Sequence, residues 1–211
     1  MASPLWQPGP YHIISYVSRF SKFLEPTSTQ EKEILDIVYT DYSVLLISYG
    51  TLLGTTVFHS FINATASFKV LERPQFAILQ RALFPAYFGI QTIFPAVLAL
   101  TYPGSRVCAS GLRGVLDEYN RWGVLAPLAT ACATGLVNWA YYLPATNAVT
   151  AKRRDQETKD GKRSWDAPPH SQEMAALNKQ FGQLHGISSL LNMITFGAIL
   201  AYGFNLGSRI Q

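Results

Sequence analysis

Formal charge is scarce in this sequence. Seventeen Lys and Arg and thirteen Asp and Glu among 211 residues amount to 14%, where a soluble domain carries roughly 25%. Hydrophobic residues make up 48% and aromatics 13%, a balance that excludes a disordered or collagenous chain. Cysteine is nearly missing, with only Cys108 and Cys132, which rules out a disulfide framework. The two stand in a connecting segment and in the middle of an apolar run, so both are expected as free thiols, because pairing would pull the loop down to mid-membrane depth. No cleavable signal is expected, since residues 1–10 are uncharged and hold Pro4, Pro8 and Pro10, where a signal would begin with basic residues and a short apolar stretch. The first span is expected to act as its own uncleaved signal.

The charge that exists is excluded from four runs, 42–68, 82–105, 122–151 and 180–208. Each exceeds the roughly 20 residues that cross about 30 Å of hydrocarbon at about 1.5 Å per residue. The expected fold class is all-α membrane, a four-transmembrane-helix bundle with an N-terminal interfacial amphipathic helix. Spans are expected at about 42–64, 82–102, 122–143 and 185–206 within a membrane domain over 41–208, with a long polar loop at 144–183. Residues 1–40 form an N-terminal arm, in which Ile13, Val17, Phe20 and Leu24 recur at helical spacing. That spacing fits a helix over 11–24 lying in the membrane surface, and equally a short helix packed on the bundle. Loops 1 and 3, counted with Arg81, hold ten of the seventeen basic residues. The bias places those loops in the cytosol and both termini on the opposite side. Basic residues spread over loops, without zinc-finger or RNA-binding motifs, give no expectation of nucleic acid despite a pI near 9.1.

Polar residues inside the runs are patterned. Thr51, Thr55, His59 and Asn63 follow at intervals of four, as do Thr130, Thr134 and Asn138, while His185, Ser188, Ser189 and Asn192 share one helical face. Lipid offers no hydrogen bonds, so these stripes are expected to turn inward. Connectivity brings the end of span 1, the start of span 2, the end of span 3 and the start of span 4 to one membrane face. His59, Asn63, Gln80, Arg81, Asn138, His185, Ser188, Ser189 and Asn192 are therefore expected to converge there. Two readings stand for this cluster: interhelical hydrogen bonds, each worth about 0.6–2 kcal/mol, or a pocket for a polar or anionic ligand. Arg81 also fits a side chain that snorkels to the headgroups. Gly50-xxx-Gly54 and Gly203-xxx-Gly207 have the spacing of close helix packing, within the bundle or between copies.

Several chemistries are not expected. His59 and His185 have no thiolate or carboxylate in their stripes to complete a metal site. With no Asp or Glu inside a run, the buried carboxylate relay of proton pumps is missing. The sequence has no phosphate-binding loop, nucleophile elbow or zinc-protease helix, and Ser188 and Ser189 share a helix with His185 without a visible oxyanion hole. No catalytic residue and no cofactor are expected, and the chain is expected not to be an enzyme.

Further residues carry a likeness: Tyr49-Gly50-Thr51 in span 1; Leu71, Arg73, Phe76, Leu79 and Gln80 leading to Leu83-Phe84-Pro85 and Tyr87-Phe88; Asn138 with Thr146 and Val149; and Phe181 followed by His185-Gly186-Ile187-Ser188-Ser189-Leu190 and Asn192. In these the sequence resembles the transmembrane protein 205 family, small eukaryotic four-span membrane proteins. The resemblance covers 42–206 apart from the second loop, and departs at Leu52 and Leu53, where the family commonly has Gln or Trp. It implies a four-helix membrane domain whose defining polar residues are Gln80, Asn138, His185, Ser188, Ser189 and Asn192, and it brings no reaction. The resulting expectation is a structural or interaction component of the endoplasmic reticulum or another endomembrane. Its partners would be the lipid bilayer and membrane proteins or a second copy. The alternative is a small solute- or ion-permeating or ligand-binding bundle using the polar cluster at the face of loops 1 and 3.

Overall fold

The four charge-free runs become four long helices in the computed structural model, Tyr42–Val70, Arg73–Leu100, Glu118–Asp160 and Gln172–Gly207, here spans 1 to 4. Residues 29–104 and 109–208 are described, with side chains from Tyr42 onward. The helix expected at 11–24 and Cys108 lie outside the described residues. The chain divides into two units, Met1–Thr40 and Asp41–Gln211, and the bundle belongs to the second.

Each span buries a seam of positions three, four or seven residues apart. On span 1 the buried positions include Leu45, Ser48, Leu52, Thr56 and His59; on span 2 they include Gln80, Tyr87, Gln91 and Leu98. Span 3 buries Val124, Leu128, Ala131, Gly135 and Asn138, and span 4 buries Thr195, Ile199, Tyr202 and Leu206. A repeat near 3.5 keeps one stripe in contact over a long helix and is the mark of a left-handed bundle. Neighbouring spans run antiparallel. Thr56 reaches Gln91 and Ser60 reaches Tyr87, Cys132 reaches Thr92, Thr134 reaches Thr195 and Asn138 reaches Ser188. Tyr49 against Ile199 and Phe61 against Phe196 close the ring between spans 1 and 4.

The outer surface is apolar. Trp122, Val70 and Phe204 are about four-fifths exposed, and only 17% of the most apolar window of span 4 is buried. A soluble monomer does not carry such a surface; in a bilayer it is the solvated one.

Wide π-helical turns break span 3 at Arg121–Leu125 and Asn138–Tyr142, each followed two residues later by a proline, Pro127 and Pro144. A proline ring lacks an N–H and crowds the carbonyl four residues back. The wider turn opens that spacing and lets the helix continue.

The segment 144–183, expected as a loop, is mostly helix. Span 3 continues to Asp160 and span 4 starts at Gln172, so the two form an antiparallel hairpin beyond the bilayer. Its tip is specified residue by residue. Gly161 takes the left-handed conformation that ends the helix, at φ 61°. The Ser171 hydroxyl accepts from the Met174 N–H at 3.1 Å, and Met174 is fully buried. The Glu157 carboxylate accepts from the Ser164 N–H, and the Arg153 guanidinium donates to Asn178 Oδ1 at 2.9 Å while lying 4.4 Å over the Phe181 ring. The helical spacing of Met174, Leu177, Phe181 and Leu184 marks the approach to span 4 in the sequence; what the polarity of 144–160 conceals is that a two-helix stem needs only a narrow apolar seam, here Val149, Met174 and Leu177.

Candidate functional site

The bundle interior is divided along its length. At the end away from loops 1 and 3, Leu45, Leu52, Leu98, Tyr102, Val115, Val124, Leu128, Ile199, Tyr202 and Leu206 pack as one apolar cluster. A short helix of the second loop, Gly111–Val115, closes it through Val115. In the half next to loops 1 and 3 the buried positions are instead Thr56, His59, Ser67, Gln80, Gln91, Asn138 and Thr195, together with the aromatic rings of Tyr87 and Phe88.

These polar groups form local chains. Gln91 Nε2 donates to the Tyr87 hydroxyl at 3.0 Å and lies 3.5 Å from Thr56 Oγ1, whose hydroxyl donates to the Leu52 carbonyl at 2.7 Å. The Tyr87 hydroxyl also pairs with Ser60 Oγ at 2.9 Å. One turn nearer the face, Ser67 Oγ donates to Asn63 Oδ1 at 3.1 Å, leaving Asn63 Nδ2 to donate to His59 Nδ1 at 3.2 Å. Since Nδ1 accepts, the neutral ring carries its proton on Nε2. The imidazole lies between Tyr87, at 4.3 Å between centroids, and the edge of Phe84 at 5.1 Å. Across spans 3 and 4, Thr134 and Thr195 hydroxyls meet at 2.7 Å, and Asn138 Nδ2 donates to the Ser188 carbonyl at 3.3 Å. Several buried atoms have no protein partner: His59 Nε2, both ends of Gln80, Gln91 Oε1, Asn138 Oδ1 and Asn192 Oδ1.

Of the residues expected to converge, His59, Gln80 and Asn138 are buried on the seams, and Asn63, Ser188 and Asn192 are half-buried beside them. Arg81, His185 and Ser189 do not join: all three are exposed, and His185 stacks instead on Phe181 of its own helix at 5.7 Å. Rows with a strict spacing of four turn about 40° per step and leave a seam that repeats near 3.5. For the same reason Thr56, not Thr55, faces Gln91. Gln91 was not singled out in the sequence, although it is an uncharged, strongly polar residue in the middle of an apolar run, and Tyr87 entered only through the family resemblance.

The glycines also divide. A Cβ on Gly203 would strike the Tyr49 hydroxyl, and one on Gly135 would lie 2.9 Å from the Gln91 backbone carbonyl. That carbonyl faces Pro95, which cannot donate to it. Gly50, Gly54 and Gly207, expected to be packing positions, have nothing within 4 Å among the described residues, because they point off the seam. Two open depressions of about 450 and 380 Å³ lie along the hairpin, the larger lined by Tyr141, Tyr142, Gln180, Gln183, Leu184 and Ile187. Among the described residues no three His, Cys, Asp or Glu side chains gather as a metal site would need.

Four apolar antiparallel helices around a partly polar core define a multi-pass helical membrane protein. Residues 47–155 match a family described as a domain of unknown function (DUF4149), and the chain belongs to that family. It is 30% identical over 177 residues to "Xanthocillin biosynthesis cluster protein D" of Aspergillus fumigatus, covering 84% of this chain and 96% of that protein. No solved structure matches it.

Proposed function

We propose that the chain is a non-enzymatic structural or interaction component of an endomembrane, of the transmembrane protein 205 type, with loops 1 and 3 in the cytosol. The observation that carries this reading is the use made of the buried polar residues. Thr134 with Thr195, Asn138 with the Ser188 carbonyl, and Gln91 and Ser60 with Tyr87 tie one span to the next or brace the side chain that does. Hydrogen bonds of this kind average about 0.6 kcal/mol in a bilayer and fix which helix faces which. The hairpin, standing clear of the membrane on the side richer in Lys and Arg, offers the surface for partners. Of the polar residues of the family resemblance, Asn138 and Ser188 are then framework positions. The test is to replace Asn138 by Leu and Thr195 by Val, and to measure unfolding in detergent beside the cellular phenotype of a deletion. Lower stability with function retained in proportion to folded protein supports the reading; a stable, correctly located protein that fails to complement refutes it.

A second reading, a bundle that binds or passes a small solute, is favoured by the unpartnered polar atoms. The fungal relative's name links that protein to a biosynthetic cluster, which accords with a membrane component near small-molecule chemistry.

A further inference from the structure

The atoms left without a protein partner are not scattered through the bundle. His59, Gln80, Gln91, Asn138 and Asn192 come from all four spans, and all lie in the half next to loops 1 and 3. Gln91 and Asn138 are fully buried, and His59 and Gln80 are each 7% exposed. A buried amide or imidazole left uncompensated is costly, so several together in lipid mark a place where something else completes the bonding.

The antiparallel register aligns them. Gln91 packs against Gly135, one turn from Asn138. Asn138 bonds to the Ser188 carbonyl, one turn from Asn192. Tyr87, held by Gln91, lies against the His59 ring at 4.3 Å between centroids. Gln80 stands about three turns nearer the face on span 2. Beyond Thr56 and Gln91 the core is mainly apolar at Leu52, Leu98 and Leu128, so the unpartnered groups reach from near the face of loops 1 and 3 to about mid-span and no deeper.

On the second reading above, we propose that this half-bundle is a blind site for a small uncharged solute rich in O–H or N–H donors, of the size and chemistry of glycerol or urea. Charge complementarity sets the first property. No formally charged side chain stands among these residues, and a buried ion without a counter-charge costs far more than a hydrogen-bonded neutral molecule. The donor and acceptor inventory sets the second. The free acceptors are the amide oxygens of Gln80, Gln91, Asn138 and Asn192, while the free donors are His59 Nε2–H and Gln80 Nε2. The rings of Phe84, Tyr87 and Phe88 supply the apolar wall.

The test uses the full chain in lipid nanodiscs, with Cys108→Ser and Cys132→Ala as background. Gln91→Cys, Asn138→Cys and Leu98→Cys are each labelled with methyl methanethiosulfonate, a small uncharged reagent. The expected result is labelling at Gln91→Cys and Asn138→Cys about tenfold faster than at Leu98→Cys, a difference of about 1.4 kcal/mol. Glycerol or urea then slows it several-fold, and sodium acetate or tetramethylammonium chloride at equal osmolarity does not. Equal, slow labelling at all three positions overturns the site and leaves the packing reading standing. Fast labelling that neither glycerol nor urea slows means that water alone enters, and overturns the solute. Because a cysteine variant could misfold, the unsubstituted protein with ¹⁵N-labelled histidine gives a second readout. The His59 signal should report an Nε2–H tautomer that shifts with glycerol; an Nδ1–H tautomer removes the donor and overturns the proposal.

Discussion

Gly135 offers the sharpest energetic test of the seam. It sits where span 3 meets span 2 beside the Gln91 carbonyl, and an alanine there would bring its Cβ to 2.9 Å from both the carbonyl carbon and oxygen and 3.0 Å from the Gln91 Cβ. Backbone cannot yield as a side-chain tip can, so the spans must separate, and overpacking of this kind costs about 1–3 kcal/mol. Gly54 supplies the reference, since it is helical, exposed and without a neighbour within 4 Å among the described residues. Replacing either glycine gains the same helix propensity, up to about 1 kcal/mol, so that contribution cancels between the two variants. Gly135→Ala should therefore be less stable than Gly54→Ala by about 1–3 kcal/mol in reversible unfolding of the purified protein in mixed micelles. A gap below about 0.5 kcal/mol, the ordinary scatter of surface substitutions, would refute the close approach of the two backbones.

Other expectations follow from neighbouring features. Thr134→Val and Thr195→Val, combined in a double-mutant cycle, should show a coupling of about 0.6 kcal/mol and at most about 1.7 kcal/mol; purely additive losses would mean that the hydroxyls do not meet. Gly203→Ala should destabilise span 4 against span 1, and adding Tyr49→Phe should recover part of the loss, because the phenolic oxygen is the obstructing atom; absence of rescue in thermal unfolding would count against that contact. In the hairpin, Met174→Ala should cost about 2–5 kcal/mol locally, seen as faster proteolysis between residues 161 and 171 with the membrane-spanning part intact. Glu157→Gln should accelerate hydrogen exchange at the Ser164 amide, whose acceptor is a buried carboxylate. The accompanying ion pair to Arg163 adds little, since that side chain is 63% exposed.

The four crossings were legible because lipid imposes one rule on every residue of a span: charge is excluded for about 20 positions. The convergence of His59, Gln80 and Asn138 in one half of the bundle was legible for a related reason, since connectivity alone decides which ends of antiparallel helices meet. What escaped was angular. A row such as Thr51, Thr55, His59 and Asn63 looks continuous in sequence, yet the bundle buries Leu52 and Thr56 ahead of His59, because a supercoiled contact repeats near 3.5 residues. Gln91 was overlooked because its companion at helical spacing, Tyr87, reads as an aromatic in an apolar run, and its other neighbours, Thr56 and Gly135, come from other spans. The hairpin escaped for a third reason. Pro144 and the charges after it suggest a break, but the wide turn just before the proline absorbs its missing donor.

Span 4 is a single helix of 36 residues without a proline, about 54 Å of rod, and a bilayer hides only about 30 Å of it. The remainder stands outside as one arm of the stem, fastened to the other by Arg153, Asn178 and Met174. Whatever grips that stem therefore holds a lever with no joint between the handle and Thr195 in the oily interior, so a tilt applied in water is delivered, undamped by any linker, to the hydroxyl pair at the heart of the bundle.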